Sequence, residues 1–398
     1  MKTVYLDNNA TTKVDEEVLE VMLPFLKENY GNPSSIYDFG GVAQKAVRTA
    51  REQVRSFLGA KSANEIIFTS SGSEGANLAI KGVLDNVPNK KHIITSVVEH
   101  ACVLNLYKTL EKQGYEATYI GVNSKGELDL EELRKAVRPD TALVSIMWAN
   151  NETGIIFPVE EVAKIVKEQN PDTKVFVDGV QAAGKIKINM GESLVDLLVV
   201  SGHKFHAPKG VGALYVKKGV RIIPQIVGGH QENSKRAGTE NVPYIVGIGK
   251  AAELVQQGLE KNVVEMKRLR DKLEKGILER VFNARLNSNS ENRVANTTNI
   301  GFEYIEGELI LLYLNDEGIC ASSGSACTSG DLDPSHVLKS MGVPFTSLHG
   351  SVRFSLSHYT TEAQIDYVLE KLPPVIERIA AISPFQNELA NLKQKALV

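Results

Sequence analysis

Apolar positions along this 398-residue chain change their spacing twice. Near the start, VDEEVLEVMLPFLKENY and SSIYDFGGVAQKAVRTAREQVRSFL carry helical periodicity, with proline and glycine blurring the boundaries. From residue 65 short apolar runs alternate with amphipathic segments: EIIFT, GANLAIKGVL, HIITSV, ACVLNLYKTLEKQG, EATYIGV, LDLEELRKAV, TALVSIMWA, VEEVAKIVKEQ, KVFVDG. Strand and helix in turn predict an α/β domain with a mainly parallel sheet. LLVVSGH, GALYVKK and RIIPQI continue the strand-like runs. A long helical stretch over roughly 242–281, with Glu and Lys on one face, then reads as a bridge. Beyond it the expected order is strand ANTTNIGFE, helix EGELILLYLND, strand ICASSG, helix SHVLKSMG, strand GSVRFSLS and helix TEAQIDYVLEKL, a compact α+β unit. No internal repeat is visible, and NELANLKQKALV reads as a short polar helix at most.

Composition narrows the class without naming it. An apolar share of 42% and a charged share of 23% are those of an ordinary soluble globular protein, and the length suits two domains. The longest apolar runs fall far short of a bilayer-spanning helix, and MKTVYLDNNATT has no signal-peptide core, so the expected location is the cytoplasm. Net charge is −3 with both signs interspersed, which gives no reason to expect a nucleic-acid surface. The three cysteines, at 102, 320 and 327, form no CxxC pair, and the eight histidines form no HExxH, so neither a disulfide framework nor a zinc site is expected.

Chemistry-bearing residues fall where apolar strands give way to polar turns, the place where open α/β sheets bind ligands. VVSGHKFHAPKGVG puts Ser201, His203 and Lys204 at one such end. A lysine partly withdrawn from water there has its charged form disfavoured and supplies a free amine, although a snorkelling surface lysine would read the same. KVFVDGVQAAGK ends a strand on Asp178, with Gln181 three residues on. An aspartate so placed either keeps a protonated ring nitrogen cationic or caps a turn. FTSSGSEGANLAIKG offers Gly72 and Ser73 at a helix start, suited to a phosphate or equally to a plain serine cap. It is not a Walker loop. VVEH ends at His100 and ANNETG supplies Asn151. Each has an ordinary structural alternative, but together these successive strand ends describe a pyridoxal phosphate pocket. Cys327 differs: SSGSACTSG surrounds it with small polar residues that read as a mobile loop, while Cys102 and Cys320 sit among apolar neighbours.

Along nearly its whole length the chain resembles the cysteine desulfurases, the class V branch of fold type I pyridoxal phosphate enzymes. YLDNNATT, GNPSS, EH, NNETG, VDGVQ, SGHK, KGVG, RAGTEN, SSGSACTSG and VRFSLS occur in the family's order. MWANNETG, HAPKGVG, EYIEGE and ACTSG are most similar to the nitrogen-fixation, NifS-type subgroup. The resemblance implies a large α/β domain over 15–256, with a mainly parallel seven-stranded sheet flanked by helices. A smaller α+β domain would comprise 1–14 and 257–398 and carry a catalytic loop at about 322–334. It also implies that Lys204 holds the cofactor covalently, Asp178 pairs with the pyridine nitrogen, and Gln181 approaches the ring hydroxyl. His100 would stack on the ring and assist proton transfers, with Gly72, Ser73, Ser201 and His203 on the phosphate. Thr239 would reach the phosphate of a neighbouring subunit, implying a homodimer with shared sites. Asn151 and Arg353 would bind the carboxylate of L-cysteine; the planar fork of an arginine suits that task, and a surface ion pair is its ordinary use.

The implied reaction converts L-cysteine to L-alanine, with the sulfur taken up by Cys327 as a persulfide for a scaffold protein of iron–sulfur cluster assembly. A glycine- and serine-rich loop would let that thiol swing between pocket and acceptor. One departure stands out: relatives often read HERGxR where this chain has HQENSKR, so Asn233 and Ser234 replace an arginine and a glycine. The alternatives are a selenocysteine lyase or aminotransferase of the same fold, which would not need Cys327, and a degenerate relative that only docks iron–sulfur assembly proteins.

Overall fold

The computed structural model describes residues 3–288, 291–323 and 334–396. A short strand, β1 (Val4–Tyr5), precedes helices α1 (Glu16–Lys27) and α2 (Asp38–Phe57). The alternation anticipated from residue 65 follows: β2 (Ile66–Thr69), α3 (Gly72–Asn86), β3 (His92–Ser96), α4 (Ala101–Lys112), β4 (Glu116–Ile120), α5 (Leu130–Ala136), β5 (Thr141–Met147), α6 (Val159–Gln169), β6 (Lys174–Asp178), β7 (Leu197–Ser201) and β8 (Gly212–Val216).

These strands form one seven-stranded sheet in the order β2-β8-β7-β6-β5-β3-β4. Only β8 runs against its neighbours, antiparallel to both β2 and β7. Every residue of β2, β3, β5, β7 and β8 is buried, as expected of strands covered by helices on both faces. That is why these runs read as largely apolar rather than alternating, with the polar exceptions such as Thr95 and Ser145 themselves buried. Helix α3 lies so close to the sheet that a Cβ on Gly75 would come within 2.4 Å of Val199 Cγ2.

RIIPQI, at 221–226, forms no strand. Pro224 has no N–H to give a ladder, and the Ile223 N–H bonds instead to the Gly82 carbonyl on α3 at 2.9 Å.

Helix α7 (Val242–Arg280) bridges two cores as its charge pattern anticipated. Val242, Ile245 and Ile248 belong to the core under the large sheet, whereas Leu269, Leu273 and Ile277 belong to a second. Around the second core lie β9 (Ala284–Leu286), β10 (Thr297–Phe302), α8 (Gly307–Asp316), β11 (Ile319–Cys320), α9 (His336–Ser340), α10 (Phe345–Leu348), β12 (Ser351–Ser355), α11 (Glu362–Ala380) and α12 (Gln386–Ala396). An antiparallel sheet runs β12-β10-β9, and β11 pairs in parallel with β1. Val337, Leu338, Met341 and Leu348 return to pack into the first core. Among the described residues no helix is long and apolar enough to cross a membrane.

Candidate active site

Five strand ends converge on one cavity of about 410 Å³, a volume typical of small-ligand sites. The chain leaves β2 for Ser71, Gly72 and Ser73, β3 for His100, β5 for Asn151, β6 at Asp178 and β7 at Ser201, His203 and Lys204. All of these residues, with Gln181 and Arg353, line the cavity. Their convergence follows from the sheet order, which sets the carboxyl ends of β2, β7, β6, β5 and β3 along one edge.

One wall is built for an anion. The Ser71 side chain accepts from the Glu74 N–H, and the Ser71 carbonyl accepts from the Gly75 N–H. The Gly72 and Ser73 N–H groups of this first turn remain for a ligand, reinforced by the positive end of the helix. A Cβ at position 72 would sit 3.0 Å from Val180 Cγ2 and 3.5 Å from Ser201 Cβ, so glycine keeps this turn uncrowded. His203 joins through Nδ1, 3.1 Å from the Thr11 hydroxyl. Burial first, then Lys204, Lys209 and Lys185, press its pKa down to about 4, so near neutral pH the ring is uncharged and bonds through its nitrogens.

Lys204 is half-buried, and its Nζ donates to the Asn9 carbonyl at 2.6 Å and the Ala10 carbonyl at 2.8 Å. Those contacts hold the amine on the cavity wall. Asp178 is 5% exposed, and its Oδ1 accepts from the Val180 N–H at 3.0 Å. Burial raises its pKa, opposed by His100, the Val180 N–H and Lys204. A protonated ring nitrogen beside it would supply the positive partner that such a buried carboxylate needs. His100 caps α4: its Nδ1 accepts from the Cys102 N–H at 3.2 Å, so the neutral ring carries its proton on Nε2. A phosphate cradle, a fixed amine and a buried carboxylate within one cavity fit pyridoxal phosphate.

Beneath His100 lies Glu99, a residue sequence reasoning passed over. It is fully buried; Oε1 accepts from the Ser96 hydroxyl at 2.7 Å and the Met147 N–H at 2.9 Å, while Oε2 has no hydrogen-bond partner among the described residues. Its carboxyl thus ties the turn bearing His100 to the end of β5, which pairs with Asp178. Burial raises its pKa from 4.5 to about 8, outweighing the two hydrogen bonds. Between those values the unfolded chain has lost this proton while the folded chain keeps it, so the contribution of Glu99 to stability falls as pH rises through that window. Glu99→Gln, which cannot ionise, is expected to gain on the wild type by about 1–3 kcal/mol from pH 5 to pH 8. Urea unfolding midpoints at both pH values measure this; a constant difference would mean that Glu99 is ionised in the folded protein.

Arg353, on β12, is 2% exposed, and its Nη2 pairs with Asp7 Oδ1 at 2.6 Å. Nη1 donates to the Asn151 carbonyl at 3.0 Å, and among the described residues the buried Nε has no hydrogen-bond partner. A guanidinium held in place by Asp7 and the Asn151 carbonyl, in a residue that lines the cavity, suits a carboxylate ligand.

The cavity lining therefore gathers Gly72, Ser73, His100, Asn151, Asp178, Gln181, Ser201, His203, Lys204 and Arg353. It does not include Thr239, which is exposed. Cys327 lies outside the described residues. On its flanks, Ser322 and Arg353 exchange backbone hydrogen bonds, Ser335 Oγ donates to Glu152, and His336 Nε2 donates to the Glu99 carbonyl at 3.0 Å. Cys102, read as packed among apolar residues, also lines the cavity. Burial pushes its thiol pKa up, as it does that of Cys320. The sequence reading also missed Asn9 and Asp7, although YLDNNATT held the signal: polar residues directly after a strand, in a motif given no role.

A fold and cavity of this kind define a pyridoxal-phosphate-dependent transferase, and the aminotransferase class-V family matches residues 4–368. The chain is 58% identical to a cysteine desulfurase of Nostoc sp., over 99% of this chain and 98% of that protein. It is 50% identical to the cysteine desulfurase NifS of Azotobacter vinelandii, over 97% and 95% respectively. Among solved structures, a NifS-like protein superposes with a TM-score of 0.90 at 42% identity, covering 95% of this chain and 100% of that one. The chain belongs to the class-V aminotransferases and, within them, to the cysteine desulfurases.

Proposed function

We propose that this cysteine desulfurase takes the sulfur of L-cysteine onto Cys327 as a persulfide and passes it to a scaffold of iron–sulfur cluster assembly. The observation that carries the reading is the single cavity in which Lys204, Asp178, His100 and Arg353 meet the amino end of α3. When bound, pyridoxal phosphate serves as an electron reservoir next to the substrate Cα. Gly72, Ser73, Ser201 and His203 hold its phosphate, Asp178 holds the proton on its ring nitrogen, and Gln181 meets its ring hydroxyl. Lys204 would anchor it and then move the Cα proton, while His100 would assist proton transfers through its Nε2 N–H. Arg353 and Asn151 orient the substrate carboxylate. In the transfer, the Cβ–S bond breaks, a new S–S bond forms at Cys327, and the carbon keeps the electron pair and takes up a proton, giving alanine. The resemblance to the nitrogen-fixation subgroup supports nitrogenase clusters as one destination.

The same proposal includes a homodimer in which Thr239 completes the partner's phosphate site. Its exposure fits that role, as do the exposed apolar side chains Tyr30, Ile36, Tyr37, Phe39 and Val227. The cytoplasm, where thiols stay reduced, completes the proposal.

Mass spectrometry after brief exposure to L-cysteine tests it: one added sulfur should map to the peptide containing residue 327, and sulfur found only elsewhere would overturn the carrier. Arg353→Ala is expected to raise KM for L-cysteine about 10- to 100-fold, the worth of a hydrogen bond to a charged group. Steady-state alanine formation checks this, and an unchanged KM would move the carboxylate site elsewhere.

A further inference from the structure

Behind the cavity, and not part of its lining, sits a second amine. Lys185 is 9% exposed, and its Nζ donates to Gln181 Oε1 at 2.7 Å. The two residues lie four apart on the turn that follows β6, where the Ala182 and Ala183 N–H groups bond to the Gly179 carbonyl and those of Lys185 and Ile186 to the Ala182 carbonyl. Gly184, at φ +78°, allows the chain to reverse there, and a Cβ on it would press within 3.0 Å of Phe205 Cβ.

Burying an amine is costly, and this one is pressed down to about 7 by burial, then by Lys204 and Arg353. A small cavity of about 30 Å³, also bordered by Lys204, His206 and His358, adjoins it. Packing alone would be served as well by an uncharged methionine or leucine. The hydrogen bonds give a different reason for a lysine. An amide has one end that accepts and one that donates, and nothing in its shape tells them apart. Here both ends are dictated: Gln181 Oε1 faces a group that donates, and Gln181 Nε2 donates to the Asn9 carbonyl at 3.0 Å, which can only accept. With Oε1 turned to Lys185, Gln181 has its second Nε2 N–H to offer the cavity it lines. Lys185 donates in this way whether or not it is protonated.

We infer that Lys185 is a positioning residue: it holds the Gln181 carboxamide so that an N–H, not a carbonyl, meets the ring oxygen of the cofactor. The inference rests on the reading of Gln181 as the ring-hydroxyl partner. An N–H stabilises an ionised ring oxygen; without it that oxygen is more basic and keeps its shared proton to higher pH.

The test titrates the visible absorption band of the holoenzyme with pH in Gln181→Ala, Lys185→Met and the double variant. Gln181→Ala should move the midpoint upward by roughly 0.5–1 pH unit, the worth of one hydrogen bond; Lys185→Met, which leaves only the Asn9 carbonyl to orient the amide, should move it upward by part of that, and the double variant should move it no further than Gln181→Ala. A silent Gln181→Ala would remove the reading of Gln181 and this inference with it. A shift in Gln181→Ala with none in Lys185→Met would overturn the role of Lys185 alone. A Lys185→Met shift that persists undiminished in the Gln181→Ala background would also overturn it, because the lysine would then act as a charge through space. Lys185→Leu, equally without a donor, carries the same expectations if the methionine variant does not fold.

Discussion

Lys204→Ala is expected to abolish alanine formation from L-cysteine, lowering kcat by at least about 10³-fold, since the substitution removes both the anchor of the cofactor and the proton carrier at Cα. Among the described residues, Lys204 is the lysine that lines the cavity. Lys185, a buried lysine that feels the charge of Lys204, is committed to Gln181 Oε1 and stands outside the lining. Nothing in the wall would take over the amine: Asn9 and Ala10 meet Lys204 Nζ through backbone carbonyls, which cannot form an imine. The measurement is single-turnover alanine release, together with borohydride reduction, which should fix the cofactor to the wild-type chain and not to the variant. Appreciable turnover in the variant would refute the assignment.

Cys327→Ala is expected to separate the two halves of the reaction. The yellow colour should persist, because no cofactor contact is assigned to this residue, while sulfur release should fall on the order of 10²-fold or more. The other thiols are poor replacements. Burial raises the pKa of Cys102 and Cys320, which keeps both as thiols near neutral pH, whereas the nucleophile must be a thiolate. Cys102 is the informative rival because it lines the same cavity. Undiminished sulfide release from Cys327→Ala would make residue 327 incidental and turn attention to Cys102.

Much of the scaffold can be read from the letters alone, for a local reason. Strands buried on both faces are mostly apolar, with a few buried Ser and Thr, so EIIFT, TALVSIM and LLVVS announce themselves, and the amphipathic stretches between them read as the crossing helices. Because a parallel α/β sheet presents its carboxyl ends along one edge, polar residues directly after those runs were already candidates for a shared site. Asp178, Ser201 and Lys204 were found this way.

Other features depend on contacts between residues far apart in the chain. Arg353 meets Asp7 across 346 positions and Asn151 across 202, and Gln181 meets Asn9 across 172; no periodicity records such pairs. Glu99 read as part of a short motif, and only the closure of β3 against β5 buries its carboxyl, with one oxygen lacking a partner among the described residues. RIIPQI has the composition of a strand, but its free backbone groups found α3 before they found a sheet. Local spacing decides which face of an element is apolar. Which charges end up facing each other is settled when strands distant in the chain become neighbours, and at that point the cost of burying an unpaired polar group selects the partner.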